Sequence, residues 1–353
     1  MTGPTISPAK CLRDAADAGG SSNGPASARL DTPFDREREA LAFLTLAAIR
    51  GVGYKTLADL AGGGHRFAEV LENTPAEMLP RRAGDRRDTV PTDWGTVLGE
   101  AQSDARKMGD RLTAMGVRLL FRDDSRFPRA LLDLERPPHW LFVQGAMAPL
   151  TMPSVAIVGT RKPSADGLFL ARYVGACLGD WPAATVSGLA SGIDQLAHES
   201  SLSADVPTIA VLGTGILDNY PKGSDGLRRQ ILEAGGTIVS EYLPRASYSA
   251  ENFVQRNRLQ AALGRVLIPV EWARRSGTAH TVRFATRLKR PIACLRLPDW
   301  PVDRLVLEPG LGLETGEIFT VPREQTAFND FVRVALGGST VPPSGQFSLF
   351  DEE

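Results

Sequence analysis

Behind the apolar run Val155–Val158 stand a glycine, a hydroxyl and a guanidinium: Gly159, Thr160 and Arg161. That set suits a phosphate. Glycine lets the backbone come close to a ligand, and arginine presents a planar fork of charged donors. Similar groups follow other apolar runs. Ser187-Gly188-Leu189-Ala190-Ser191-Gly192 leads to Asp194 and His198. Gly213-Thr214-Gly215 leads to Tyr220 and Lys222, and Phe253 precedes Arg256, Asn257 and Arg258. Ser276-Gly277-Thr278 opens a further helical pattern. Small residues and free N–H groups at a helix start favour an anion. Unstacked bases favour aromatic faces, at about 1–3 kcal/mol per base. The combination predicts a groove for a single nucleic-acid strand rather than a duplex. Each residue alone has a plainer reading. Arg256 or Arg258 reads as a surface charge or ion-pair partner, His198 as a buried core histidine, and Asp194 as the residue that orients the glycine turn. Convergence carries the functional reading.

Other chemistries are disfavoured. No Gly-x-Gly-x-x-Gly follows the first strand, and Gly213-x-Gly215 lacks the third glycine of a dinucleotide site. No GxxxxGK[ST] loop is present, and no Ser or Cys nucleophile adjoins a histidine base. The three cysteines form no CxxC pair, which argues against a zinc site or a disulfide framework and fits a reducing cytoplasm. No catalytic residue, metal or cofactor is expected. The formal net charge is -1, so nucleic-acid binding requires a local basic pocket. No apolar run approaches the roughly 20 residues of a membrane span, and the N-terminus lacks a signal peptide's apolar core. A cytoplasmic protein is expected.

These residues need a scaffold that gathers strand ends. After Val155, strands at Val155–Gly159, Ala184–Ser187, Thr208–Leu212, Thr237–Ser240, Arg265–Val270 and Ile292–Leu295 alternate with helices. The helices fall near Gly167–Leu178, Ser191–Leu202, Gly226–Glu233, Phe253–Leu263 and Thr278–Leu288. The alternation predicts an α/β, Rossmann-like, doubly wound and mostly parallel sheet, which binds ligands at its carboxyl edge. Before it, Ile49-Arg50-Gly51-Val52-Gly53 joins two helical patterns in a helix-hairpin-helix-like turn. That turn reads either as a phosphate contact or as a tight turn between packed helices. The expected division is a disordered leader over 1–34, a helical domain over 35–116, the sheet domain over 117–324, and a closing helix, spacer and peptide over 325–353.

The motifs VAIVGTR, SGLASGIDQLAH, AVLGTGILDNYPKG, SEY, FVQRNRLQAAL and RSGTAHTVRFA resemble, in order, those of the DprA/Smf family, the DNA-processing protein A of bacteria. The likeness covers roughly Phe121 to Leu297, and IRGVGYKTL is similar to the family's N-terminal helical segment. The resemblance implies a non-catalytic single-stranded DNA-binding protein, usually a homodimer. Such a protein protects DNA in natural transformation and helps load the RecA recombinase. It places DNA contacts at Arg161, Lys222, Phe253, Arg256, Asn257 and Arg258. The phosphate-friendly turns add Gly159, Thr160, Ser187, Gly188, Gly213, Gly215, Ser276 and Gly277. There are departures. Gly223-Ser224 follow Lys222 where the family often has Glu-Asn, Leu297-Pro298-Asp299 replace Val-Pro-Gly, and the C-terminal winged helix of many members is not expected. An alternative is a nucleotide sensor or phosphoribohydrolase-like enzyme. Ser276-Gly277-Thr278 is similar to part of the Gly-Gly-x-Gly-Thr-x-x-Glu loop of those enzymes, but Thr281 stands where the glutamate would be.

The last residues carry a separate signal. Gln346-Phe347-Ser348-Leu349-Phe350 follows a Pro/Gly/Ser spacer and looks like the bacterial sliding-clamp-binding peptide. Gln346, Ser348, Leu349 and Phe350 are the expected clamp contacts, since a short flexible segment can seat such anchors in a preformed pocket. The plainer reading is a tail folded onto its own core.

Overall fold

A computed structural model describes residues 33–73, 94–301 and 316–337. Four helices come first: α1 (Pro33–Ala48), α2 (Tyr54–Gly62), α3 (Phe67–Asn73) and α4 (Trp94–Ala114). Strands β1 (Val117–Phe121) and β2 (Trp140–Gly145) follow. The chain then alternates through β3 (Ser154–Val158), α5 (Ala165–Cys177), β4 (Ala184–Ser187), α6 (Ile193–Ser203), β5 (Thr208–Val211) and α7 (Asp225–Glu233). It continues with β6 (Thr237–Ser240), α8 (Ala250–Leu263), β7 (Val266–Pro269), α9 (Gly277–Arg287) and β8 (Ile292–Arg296). Strand β9 (Gly316–Thr320) and helix α10 (Gln325–Ala335) close the described chain.

The sheet has nine described strands in the order β1-β2-β6-β5-β4-β3-β7-β8-β9. Strands β3 to β9 pair in parallel, while β2 runs antiparallel to both β1 and β6. This is the α/β, Rossmann-like, mostly parallel architecture. From β3 the chain winds outward through β4, β5 and β6, then returns to the other side of β3 with β7. The strand order therefore reverses between β3 and β7, and a crevice opens at such a reversal beyond the strands' carboxyl ends.

Strand β3 is buried on both faces, which explains its unbroken apolar run. Val155 and Ile157 enter one core with Leu170 and Val174 of α5, Ile193 of α6 and Phe328 of α10. Ala156 and Val158 enter the opposite core with Leu259 and Ala262 of α8 and Val282 and Ala285 of α9. Side chains at alternate positions point to opposite faces, so one strand serves both layers. His198 lies in the core, as its plainer reading expects. Its Nδ1 is 2.8 Å from Thr208 Oγ1. Burial, with the nearby Arg256 charge, pushes its pKa down to about 3, so it is neutral at physiological pH.

The N-terminal helices share a third core with the sheet. Phe43 of α1 packs against Phe67, Phe121, Trp140 and Phe142, with ring centroids 4.8–6.2 Å apart. The same cluster includes Ile231 of α7 and Ile238 of β6, so buried apolar packing runs across residue 116. In the turn from α1 to α2, Ile49 and Val52 are buried and Gly51 has φ +88°. The Tyr54 hydroxyl, at the start of α2, donates to Glu241 just after β6 at 3.1 Å.

Several boundaries differ from the sequence reading. Helix α8 begins at Ala250, because the Ser249 hydroxyl accepts from Asn252 N–H and caps it earlier. Strand β9 was not expected. It is an edge strand with only Phe319 buried, so it carries little periodicity. The leader expected over 1–34 gives way to α1 at Pro33, and its residues 1–32 and the peptide 346–350 lie outside the described residues. Among the described residues no helix is long and apolar enough to cross a membrane.

The shared aromatic core is expected to couple unfolding of the N-terminal helices to that of the sheet. Phe43→Ala is expected to destabilise the protein by about 3–5 kcal/mol. Helical circular dichroism and near-ultraviolet aromatic signals should shift together in denaturant titrations. Two separate transitions, with only one of them shifted by Phe43→Ala, would show that the N-terminal helices unfold independently of the sheet.

Candidate functional site

The crevice at the β3/β7 reversal is a cleft of about 300 Å³. Four segments line it: Val158–Arg161 after β3, Ala190 and Asp194 around the start of α6, Tyr248 with one face of α8, and Ser276–Thr281 at the start of α9. Its volume is at the small end of the roughly 300–1,000 Å³ range of small-molecule sites.

Asp194 organises the floor. It is buried, and its carboxylate accepts from the backbone N–H groups of Gly159, Gly188 and Ala190. It thus ties the end of β3 to the turn after β4. Its charge faces Arg256, which is only 2% exposed. Arg256 Nη1 donates to the Val211 carbonyl at the end of β5, at 2.5 Å. Burial raises the Asp194 pKa and lowers that of Arg256 to about 10, and each charge opposes the shift of the other. The guanidinium remains charged at neutral pH. Gly188 is required here for space, since a Cβ on it would stand 1.7 Å from Arg256 Nη1.

Aromatic rings form one wall. Phe253 is 8% exposed, and the Arg161 and Arg256 guanidinium carbons lie 5.3 and 5.4 Å from its ring centroid. A Cβ on Gly213 would come within 2.8 Å of that ring, so glycine there gives Phe253 its seat. Tyr220 and Tyr248 pack on Phe253 at 5.1 and 5.2 Å and stack on each other at 4.6 Å with planes 27° apart. The turn that bears Tyr220 is pinned by Arg228, which donates to the carbonyls of Asp218 and Ile216 at 2.7 and 2.8 Å.

The opposite wall is the N-terminus of α9. The Ser276 hydroxyl donates to the Ala273 carbonyl at 2.6 Å and accepts from Ala279 N–H at 3.4 Å, which caps the helix. Asn257 Nδ2 donates to the Gly277 carbonyl at 3.0 Å and joins α8 to α9. The first-turn amides of α9 and the exposed Arg161 give this side a positive field.

The sequence-derived site residues therefore divide. Gly159, Thr160, Arg161, Phe253, Arg256, Asn257, Ser276 and Gly277 line the cleft. Ser187, Gly188, Gly213 and Gly215 do not; they are buried beneath or behind it. The Ser187 hydroxyl donates to the Ile157 carbonyl at 2.7 Å, and Gly215 packs against the carbonyls of Leu243 and Pro244. Lys222 is exposed on the turn before α7 and is not among the lining residues. Arg258 leaves the cleft altogether. Its two terminal nitrogens grip Glu241 at 2.7 and 2.6 Å, next to the Tyr54 hydroxyl. The reason is helical geometry. Phe253, Arg256, Asn257 and Gln260 fall at i, i+3, i+4 and i+7 on one face, whereas Arg258 is two residues, roughly 200°, from Arg256.

Tyr248, Gln260, Thr278 and Thr281 were missed. Gln260 could have been found from that same helical spacing. Tyr248 sits in a loop with no periodicity to mark it. Gln260 is 1% exposed, and its Nε2 has no hydrogen-bond partner. The only carboxylate among the lining residues is Asp194. Among the described residues no group of three or more His, Cys, Asp or Glu is placed to hold a metal.

Known proteins agree with this architecture. The family model described as DNA recombination-mediator protein A matches residues 118–304. Protein Smf of Synechocystis is 37% identical over 183 residues, which is 51% of this chain and 45% of that protein. A putative DNA processing protein DprA of Mycobacterium tuberculosis is 34% identical over 268 residues, 71% of this chain and 62% of that one. The alignments thus span 45% and 62% of these two relatives' own lengths. The X-ray structure of DprA from Streptococcus pneumoniae is similar with a TM-score of 0.54 at 25% identity, over 84% of this chain and 97% of that one.

The attraction between the Asp194 and Arg256 groups, with the amides that Asp194 accepts, should contribute to the stability of the floor. Asp194→Asn weakens both, and a loss of about 1–3 kcal/mol is expected in denaturant melts. Arg256→Leu added to Asp194→Asn should recover part of that loss. A single variant as stable as the unaltered protein would contradict the pairing.

Proposed function

This chain belongs to the DNA recombination-mediator protein A family, and on that premise we propose that it is a non-catalytic single-stranded DNA-binding protein whose strand crosses the β3/β7 cleft. The observation that carries this reading is the placement of Arg161. It is exposed at the cleft mouth, within 5.3 Å of the Phe253 ring centroid, on a cleft also lined by the start of α9. A phosphate there meets a guanidinium and helix amides, and the bases lie beside aromatic rings. Arg161 and the α9 terminus, with the buried Arg256 guanidinium behind them, give the cleft a positive local field. A net charge of -1 gives no general attraction to nucleic acid, which makes a local site necessary.

Two features support a binding rather than a catalytic role. Asp194, the only carboxylate among the lining residues, is engaged by three backbone amides and Arg256. His198 is buried and neutral. A phosphoribohydrolase-like reaction has Thr281 where its glutamate would stand. The small volume favours one second reading, a nucleotide sensor, in which a mononucleotide alone fills the cleft.

By family resemblance, the bound strand is protected and passed to the RecA recombinase during transformation or recombination, and the working form is a homodimer in the cytoplasm. Gln346, Ser348, Leu349 and Phe350 would tether the protein to the sliding clamp.

A salt-titrated binding comparison of an oligothymidylate, a duplex and mononucleotides tests the main reading. Affinity is expected to be highest for the oligothymidylate and to fall as salt rises. Arg161→Ala should weaken it roughly tenfold or more and reduce the salt slope by about one. Unchanged binding in that variant contradicts the site, and a preference for mononucleotides favours the sensor. For the tail, removal of residues 346–353 should abolish affinity for purified clamp while DNA binding persists. Clamp affinity that survives the deletion contradicts the tether.

A further inference from the structure

The sequence nominates Phe253 as the aromatic contact, yet Phe253 is 8% exposed, with Tyr220, Tyr248 and two guanidiniums around its ring. Tyr248 is different. It lines the same cleft and remains 47% exposed. Tyr220 stacks on one face of its ring at 4.6 Å, and Phe253 supports it at 5.2 Å. A ring backed on one face and open to solvent elsewhere has its orientation set before any ligand arrives, so stacking on it costs little ordering entropy. Ser249, the next residue, caps α8 and fixes the loop end that carries Tyr248.

We infer that Tyr248 is the base-stacking platform of the site, with Tyr220 and Phe253 as its support. This rests on the single-strand reading of the cleft and assigns within it which side chain a base touches. Arg161 and the α9 terminus hold phosphate; Tyr248 holds the π-face of a base without reading its identity. The aromatic contact is therefore with the nucleobase, not the sugar-phosphate chain, and it is tolerant of sequence.

The test compares an oligothymidylate with an abasic oligonucleotide of equal length and charge. Tyr248→Ala should weaken the oligothymidylate about 5- to 150-fold and leave abasic binding and the salt slope unchanged. Tyr248→Phe should bind as the unaltered protein does, and Tyr248→Leu should resemble the alanine variant. Thermal melting checks that the variants fold; Tyr248→Phe and Tyr248→Leu keep comparable bulk, so the aromatic face alone separates them. Equal weakening of both oligonucleotides, or no weakening of either, overturns the platform while the single-strand reading stands. If the unaltered protein binds neither oligonucleotide, both fall together.

Discussion

The Asp194 carboxyl group and the Arg256 guanidinium lie buried in the floor of the cleft at the carboxyl edge of the sheet. Through them the ends of β3, β4 and β5 and the middle of α8 become one rigid floor. Asp194 takes amides from Gly159, Gly188 and Ala190, and Arg256 reaches back to Val211 and lies against Phe253. Taking two ions out of water is costly, and their attraction offsets this only when other hydrogen bonds complete the arrangement. Here three amides and a carbonyl contribute, while the buried Arg256 Nε has no hydrogen-bond partner among the described residues. The arrangement also demands a residue without a side chain at 188, because the guanidinium occupies the space a Cβ would fill.

From that floor the cleft gains its polarity. Above that buried floor, the rim decides what binds. The rim holds Arg161, the start of α9 and the pair of stacked tyrosines. Topology puts them together: the chain reverses direction across the sheet between β3 and β7, so turns distant in sequence open onto the same crevice. The second charged pair, Arg258–Glu241, works elsewhere. With Tyr54 it fastens the N-terminal helices to the sheet, beside the aromatic core around Phe43 and Trp140. Two arginines separated by one residue on the same helix thus serve two structural tasks on different sides.

Much of the fold was legible because strand and helix periods alternate cleanly from Val155 onward. The unbroken apolar run of β3 matches a strand buried on both faces. β9 was hidden because an edge strand with one buried side chain has no period to detect. At the site, the glycine-rich turns were legible, but the neighbours that two of their glycines accommodate were not. Gly188 and Gly213 make room for Arg256 and Phe253 inside the protein rather than for a ligand outside it. A glycine signals close approach without naming what approaches. Arg256 and Arg258 were treated alike because they are close in sequence, although helical geometry separates them. Tyr248 was missed because its loop has no periodicity to mark it, and only the fold brings Tyr220 against its ring.

The most direct measurement of the central claim is photo-crosslinking of a 5-iodouracil-substituted oligonucleotide, with the modified residues mapped by mass spectrometry. Passage of the strand across the β3/β7 cleft places crosslinks on Tyr248 and its neighbours, suppressed by unlabelled oligothymidylate. Crosslinks confined to the helical hairpin around Gly51–Tyr54, with none in the segments that line the cleft, would contradict the account.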